Sequence, residues 1–216
     1  MRAMEARTTS RRAQRDAKPR QGDRRERTIL DATRELLATT PFGELRIEQI
    51  AGAAGVSRSS VYFYFSDKVE ILALLYGEVF EEMSAELDLW FADPEKHSEQ
   101  WSRTTIAAAV TIARRNSGVV RSALDNRWTD AAIEAVWTSY FDRTVDRVAT
   151  LIEREREAEL ALTAGPPATA MARALMHMTM GSLHELLRAD GGEPEAAALV
   201  ETLTALWARG VGTDPA

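Results

Sequence analysis

The sequence predicts an all-α fold of about nine helices, with a three-helix helix-turn-helix unit at the N-terminus seated on a larger helical module. Three observations predict it. Apolar residues recur at three- and four-residue spacing along almost every long segment, which lines one face of a helix. Glycine and proline interrupt these segments around residues 41–43, 55, 94, 116–118, 164–166 and 191–194, where a helix must turn or end. Residues 45–68, LRIEQIAGAAGVSRSSVYFYFSDK, hold two short apolar-periodic runs joined by a glycine turn.

Residues 1–23 contain Arg2, Arg7, Arg11, Arg12, Arg15, Lys18 and Arg20 and almost no large apolar side chain. Nothing there offsets the entropy of ordering, so a disordered basic arm is expected, either a solubilising tail or an arm for phosphates or a minor groove. Asp23 and Glu26 have capping-box spacing, and Ile29, Leu30, Leu36 and Leu37 give the stripe of a helix over about 24–39, ended by Pro41 and Gly43. Phe42 is expected to plug the core between this helix and the next two.

In the motif, Ile47, Ile50, Ala51 and Ala54 mark a helix that Gly55 stops in a left-handed conformation. Val56 is placed to pack between the motif helices, and Ser57 caps a second helix over 58–64. Arg58, Ser59 and Ser60 stand at its N-terminal end, where a recognition helix meets the major groove of double-stranded DNA. At its aromatic end, the rings of Phe65 and Tyr62 are assigned to packing and the Tyr64 hydroxyl to a phosphate, with Tyr62 also counted among the DNA-facing residues. Ser66 is expected to cap the next helix, with Lys68 in its first turn reaching a phosphate.

Ile71, Leu72, Leu75, Val79, Met83, Leu87 and Trp90 continue one long helix over 67–91, closed by Asp93-Pro94. A helix at 98–115 carries Trp101, Thr105, Ala108 and Ile112 on a light face, and a short one follows at 118–124. Thr129 is read as the cap of a helix near 130–158 with Ile133, Val136, Trp137, Tyr140, Phe141, Val148, Leu151 and Ile152. The last two helices, about 167–188 and 194–209, hold more apolar surface than one small module buries, which points to a subunit interface and hence a homodimer.

The net charge of −6 is uneven. Residues 1–68 hold 14 Lys and Arg against 9 Asp and Glu, a balance of +5, and residues 69–216 hold 13 against 24, a balance of −11. The positive field therefore lies on the motif segment, and the acidic remainder orients the molecule on a polyanion. The chain has no cysteine, which excludes disulfides and thiolate chemistry. No apolar run reaches the roughly 18 residues that span a bilayer, and the basic N-terminus has no apolar stretch behind it, so a cytoplasmic protein without membrane contact is expected.

Little points to catalysis. His177 and His184 are seven apart, too far to share a metal, and the charged stretch with Asp142 and Asp146 reads as a salt-bridged solvated face. No nucleophile elbow, phosphate-binding glycine loop or dinucleotide fingerprint is present, so neither an enzyme nor a cofactor is expected.

Ile50-Ala51, Ala54-Gly55-Val56-Ser57, Tyr62, Tyr64-Phe65, Lys68 and Ile71-Leu72 together match the I-A-x-x-A-G-V-S-x-x-x-x-Y-x-Y/H-F-x-x-K-x-x-(I/L)-L signature. On these residues the chain resembles the TetR family of transcriptional regulators over about 24–75. It departs at Arg46, where members often carry Ser or Thr as a cap, and Arg46 is read instead as a phosphate contact. The Phe63-Tyr64-Phe65 run, the tryptophan positions and the length look similar to the EthR-like branch. The resemblance implies a DNA-binding domain at 24–66 and a ligand-binding and dimerisation domain at 67–216. It further implies a repressor of a palindromic operator, released by a small hydrophobic ligand.

Trp101, Trp137 and Trp207 sit on three helices of the second module, with Phe141, Met176 and Thr179 able to face them. Residue chemistry alone reads such a set as core or as a cavity wall. The resemblance implies a mostly apolar pocket, with Thr105, Asn126 and Thr179 as polar anchors beside Ala108 and Ile112. Two alternatives stay open: a ligand-independent or activating regulator, and a helical module that docks a protein partner.

Overall fold

The computed structural model describes residues 21–91, 99–157 and 165–211, with the side chains of Gln21, Trp90, Glu99, Gln100, Trp101 and Val211 left out. Among the described residues there are nine helices and no strand: α1 Gln21–Leu37, α2 Ile47–Ala53, α3 Arg58–Tyr64, α4 Lys68–Phe91, α5 Glu99–Arg115, α6 Ser117–Asn126, α7 Ala131–Glu157, α8 Ala168–Arg188 and α9 Glu193–Val211. The expected basic arm lies outside the described residues up to Arg20. Its assumed end at residue 23 falls inside α1, so Asp23 sits in a first turn rather than before it.

The first three helices close on Ile29, Leu37, Phe42, Leu45, Ile50, Val61 and Phe65, all buried. Gly55 adopts φ +65°, and the Val56 N–H reaches back to the Ala51 carbonyl at 2.9 Å. That six-to-one bond needs a left-handed residue before it, which is why glycine stands there. Ser57 Oγ accepts from the Ser60 N–H at 3.1 Å and so caps α3. Arg46 occupies the cap position of α2, and because its side chain has no acceptor only the reciprocal bond forms, Arg46 N–H to Gln49 Oε1 at 2.8 Å.

Two caps differ from expectation by one residue. Asp67, not Ser66, supplies the acceptor for α4, its Oδ1 taking the Val69 and Glu70 N–H groups at 2.8 and 2.9 Å. Ser66 instead donates its N–H and hydroxyl to Glu70 Oε2. Likewise Asp130, not Thr129, caps α7 through the Ala132 and Ile133 N–H groups. In each case a carboxylate outcompetes the neighbouring hydroxyl for the positive end of a helix.

Helix α4 is the spine. Its Ile71, Leu72, Leu75, Tyr76, Val79, Phe80 and Met83 are buried, and it packs against α1, α5, α6 and α7. Helices α7 and α8 pack together, and α9 packs along α5 and α8.

Candidate functional site

The motif presents a polar, partly aromatic rim. Arg46, Ser57, Arg58 and Ser59 are exposed, and Ser60 is half-buried. Ser57 Oγ lies 2.8 Å from Ser59 Oγ and 2.9 Å from Ser60 Oγ, a compact hydroxyl cluster at the first turn of α3. Arg58 pairs with Glu48 of α2 at 2.8 Å. Such a pair between exposed side chains contributes about 0–1 kcal/mol, so Arg58 leaves it at little cost.

Two of the motif assignments change. Tyr62 is not a packing residue: it is 49% exposed, and Phe63 beside it is 81% exposed, the largest exposure of any big apolar side chain among the described residues. Val61 and Phe65 take the buried positions one turn apart, which turns residues 62 and 63 outward. That spacing is a usable signal for Phe63, masked in the sequence by four consecutive aromatics that look like core. Tyr64 is half-buried against the core, its hydroxyl near the start of α1.

Lys68 does not point to solvent. Its Nζ donates to the carbonyls of Phe42 at 2.8 Å, Leu45 at 2.9 Å and Gly43 at 3.4 Å, and sits 4.6 Å from the Phe42 ring centre. An ammonium has three protons and all three are directed at this loop. The first residue of α4 thereby ties the α1–α2 loop to the spine, in place of the expected phosphate contact.

An apolar cavity, partly open to the surface, lies between α4, α5, α7, α8 and α9. Met83, Leu87, Thr105, Ile106, Tyr140 and Trp207 are among the side chains lining it, with Ser102, Ala109, Thr144, Met176, Thr179, Met180 and Leu183. Its free space is about 70 Å³, well below the roughly 300–1,000 Å³ of typical small-molecule pockets. The Trp207 indole N–H donates to Thr179 Oγ1 at 2.8 Å, and Thr179 in turn donates to the Leu175 carbonyl, closing one wall. No lining residue carries a formal charge, and burial pushes the Tyr140 phenol up to about 12, so it stays neutral. The cavity suits an uncharged, largely apolar molecule.

Of the residues expected there, Thr105, Met176, Thr179 and Trp207 line the cavity. Trp137 and Phe141 do not. They stack on each other at 5.5 Å, with Phe80 and the Arg127 guanidinium against Trp137 and His177 against Phe141, and serve as packing. Ile112 is core, and Ala108 is not among the side chains that line this cavity. Asn126 lies elsewhere, at a surface groove with the 37–43 loop, its amide donating to the Ser122 carbonyl. The Trp101 side chain lies outside the described residues. The walls supplied by α4 and the second layer of α7 were missed, because Met83, Leu87 and Tyr140 read as ordinary stripe residues.

A polar junction joins α1 to the rest. Glu78 of α4 holds both Arg27 and Arg34 at 2.6 Å, and Arg34 also donates to the Asn116 side chain between α5 and α6. Just beyond, Gly118 lets the start of α6 press against the end of α1: a Cβ there would overlap the Leu37 carbonyl and lie 2.8 Å from the Ala38 nitrogen.

A family model described as bacterial regulatory proteins of the tetR family matches residues 29–75, and one for the C-terminal domain of the transcriptional regulator EthR matches residues 101–212. The chain is 27% identical over 197 residues to the HTH-type transcriptional regulator EthR of Mycobacterium tuberculosis, covering 91% of this chain and 90% of that one. It is 27% identical over 211 residues to EthR of Mycolicibacterium smegmatis, with 96% and 95% covered. Among solved structures, a TetR-family regulator from Syntrophomonas wolfei superposes with a TM-score of 0.68 at 17% identity, over 89% of this chain and 97% of that one. The fatty acid degradation regulator FadR of Bacillus halodurans does so with 0.68 at 15%, over 88% and 96%.

Proposed function

The chain belongs to the TetR family of DNA-binding transcriptional regulators, with an EthR-type C-terminal domain, and from that premise we propose that it is a cytoplasmic repressor of a palindromic operator, released by a small hydrophobic ligand. Residues 24–66 act as the DNA-binding head and residues 67–216 as the ligand-binding and dimerisation body. In the head, Ser59, Arg58 and Tyr62 meet base edges and the groove wall, while Arg46, Ser57, Ser60 and Tyr64 serve phosphates. Phe63 joins them as an apolar contact.

The observation that carries the reading is the size and placement of the cavity. At about 70 Å³ it cannot take a ligand of ordinary size without its walls parting. Those walls include α4, whose first residue holds the loop of the head, and α5, whose end meets Arg34. A ligand that separates them moves the head.

Support for a homodimer comes from α8 and α9. Ala170, Ala174, His177 and Gly181 form one exposed stripe, and Ala198, Thr202 and Leu206 another. Small side chains let helices of a second copy approach closely, and the half-buried Met178 and Leu199 supply apolar area at the edges. A dimer also places two recognition helices about 34–36 Å apart, as a palindrome requires.

A gel shift with the DNA upstream of the chain's own gene, paired with light scattering, tests this. A discrete shifted complex, made by a particle of twice the 24.0 kDa chain mass, is expected. A monomer with no preference for that DNA over random duplex contradicts it.

A further inference from the structure

On the face of α4 turned away from α5, an open groove of about 790 Å³ runs between α4 and α7. Its floor is apolar, made by Val69, Ala73, Leu74, Gly77, Ala132 and Val136, and Leu74 is 44% exposed. Its rim carries Asp67, Glu70, Glu81 and Asp130, and no lysine or arginine is among its lining residues. The caps of α4 and α7 engage one oxygen each of Asp67, Asp130 and Glu70, and Glu81 makes a long contact of 3.7 Å with Arg143. The groove is thus acidic at the edge and apolar within, which repels DNA and suits a basic segment with small apolar residues.

The chain itself holds such a segment. Residues 1–20 lie outside the described structure and carry seven Lys and Arg against two Asp and Glu, with Ala3, Met4, Ala6, Ala13 and Ala17 among them. They join α1 at Gln21, and a Cβ at Gly22 would lie 3.8 Å from the Tyr64 hydroxyl, three residues before Asp67 at the groove's end. Twenty residues span up to roughly 66 Å when extended. The groove from Ser66 to Glu81 follows about 22 Å of helix. Length, point of attachment and charge all agree.

We propose that the groove between α4 and α7 is a docking surface for the chain's own basic segment, residues 1–20. Docked there, the segment neutralises the acidic patch beside the recognition helix and is withheld from other anions. A nearby duplex, with its denser negative charge, competes for it.

The absence of native cysteine makes the test direct. Thr9→Cys is paired with Leu74→Cys in the groove, or with the exposed Leu89→Cys further along α4 as control, and treated with a short bis-maleimide in the full-length protein without DNA. The intrachain product at Leu74→Cys should exceed that at Leu89→Cys. It should fall about fivefold on adding Glu81→Lys, the scale that losing one or two exposed ion pairs allows, and as much in ~1 M salt, where screening acts within about 3 Å. Equal yields at the two positions, or a yield indifferent to both salt and Glu81→Lys, would overturn the proposal. So would a product at twice the 24.0 kDa chain mass, which would mean that another chain fills the groove. Because no DNA is present, the outcome stands apart from the regulator reading.

Discussion

Lys68 ties the loop before α2 to the first turn of α4. Three carbonyls of the 42–45 loop converge on its ammonium, and that loop sets where α2 begins. Hydrogen bonds to a charged donor contribute about 1.5–3 kcal/mol together with the cost of leaving their acceptors unpaired. Lys68→Ala should therefore lower the unfolding free energy by about 1.5–3 kcal/mol, read as a lower urea midpoint at unchanged slope. A variant of normal stability with weakened DNA binding would restore the phosphate role. The loop contact was not legible for a physical reason: a lysine in a first turn after an aromatic run has the same sequence whether it reaches outward to an anion or back to a loop. The same holds for Trp137 and Phe141, whose stacking partners Phe80, Arg127 and His177 come from three other elements. What the sequence did expose at this scale were positions governed by backbone conformation, as Gly55 with φ +65° and the Ser57 cap.

At the scale of elements, the helices were legible because each buries one stripe, and the stripes of α4, α7, α8 and α9 stand plainly in the order of residues. Contacts between helices were not. Nothing in the run Asn116-Ser117-Gly118 beyond its breaker character announces that Gly118 is pressed on the last carbonyl of α1. This close approach, with the Glu78 clamp on Arg27 and Arg34, ties α1 to α4 and α6. Gly118→Ala would force α6 away from backbone atoms that have no rotamer to yield. Its expected cost is about 1–3 kcal/mol, and because α1 must shift, DNA affinity should fall beyond what the lost stability explains. Ordinary stability and unaltered DNA binding in Gly118→Ala would mean that the junction gives way freely and transmits nothing.

For the whole molecule, the charge is divided, positive over the segment that holds the motif and negative over the all-α body. The balance of +5 over residues 1–68 against −11 over the rest was readable by counting. The cavity was readable only in part, since Thr105, Met176, Thr179 and Trp207 converge with α4 side chains through packing that no local pattern encodes. Any coupling between a ligand and DNA is reciprocal by thermodynamic necessity, so the proposed release by ligand requires that each weaken the other by the same factor.

Trp207 lines the cavity. The most direct measurement is a tryptophan fluorescence titration of one uncharged apolar ligand, carried out with the protein free and again with it saturated by operator DNA. Operator should weaken the ligand by about 5–150-fold, the range of typical allosteric coupling. Equal affinities in the two titrations would contradict the account, for they would mean that a filled cavity and a bound operator do not sense each other.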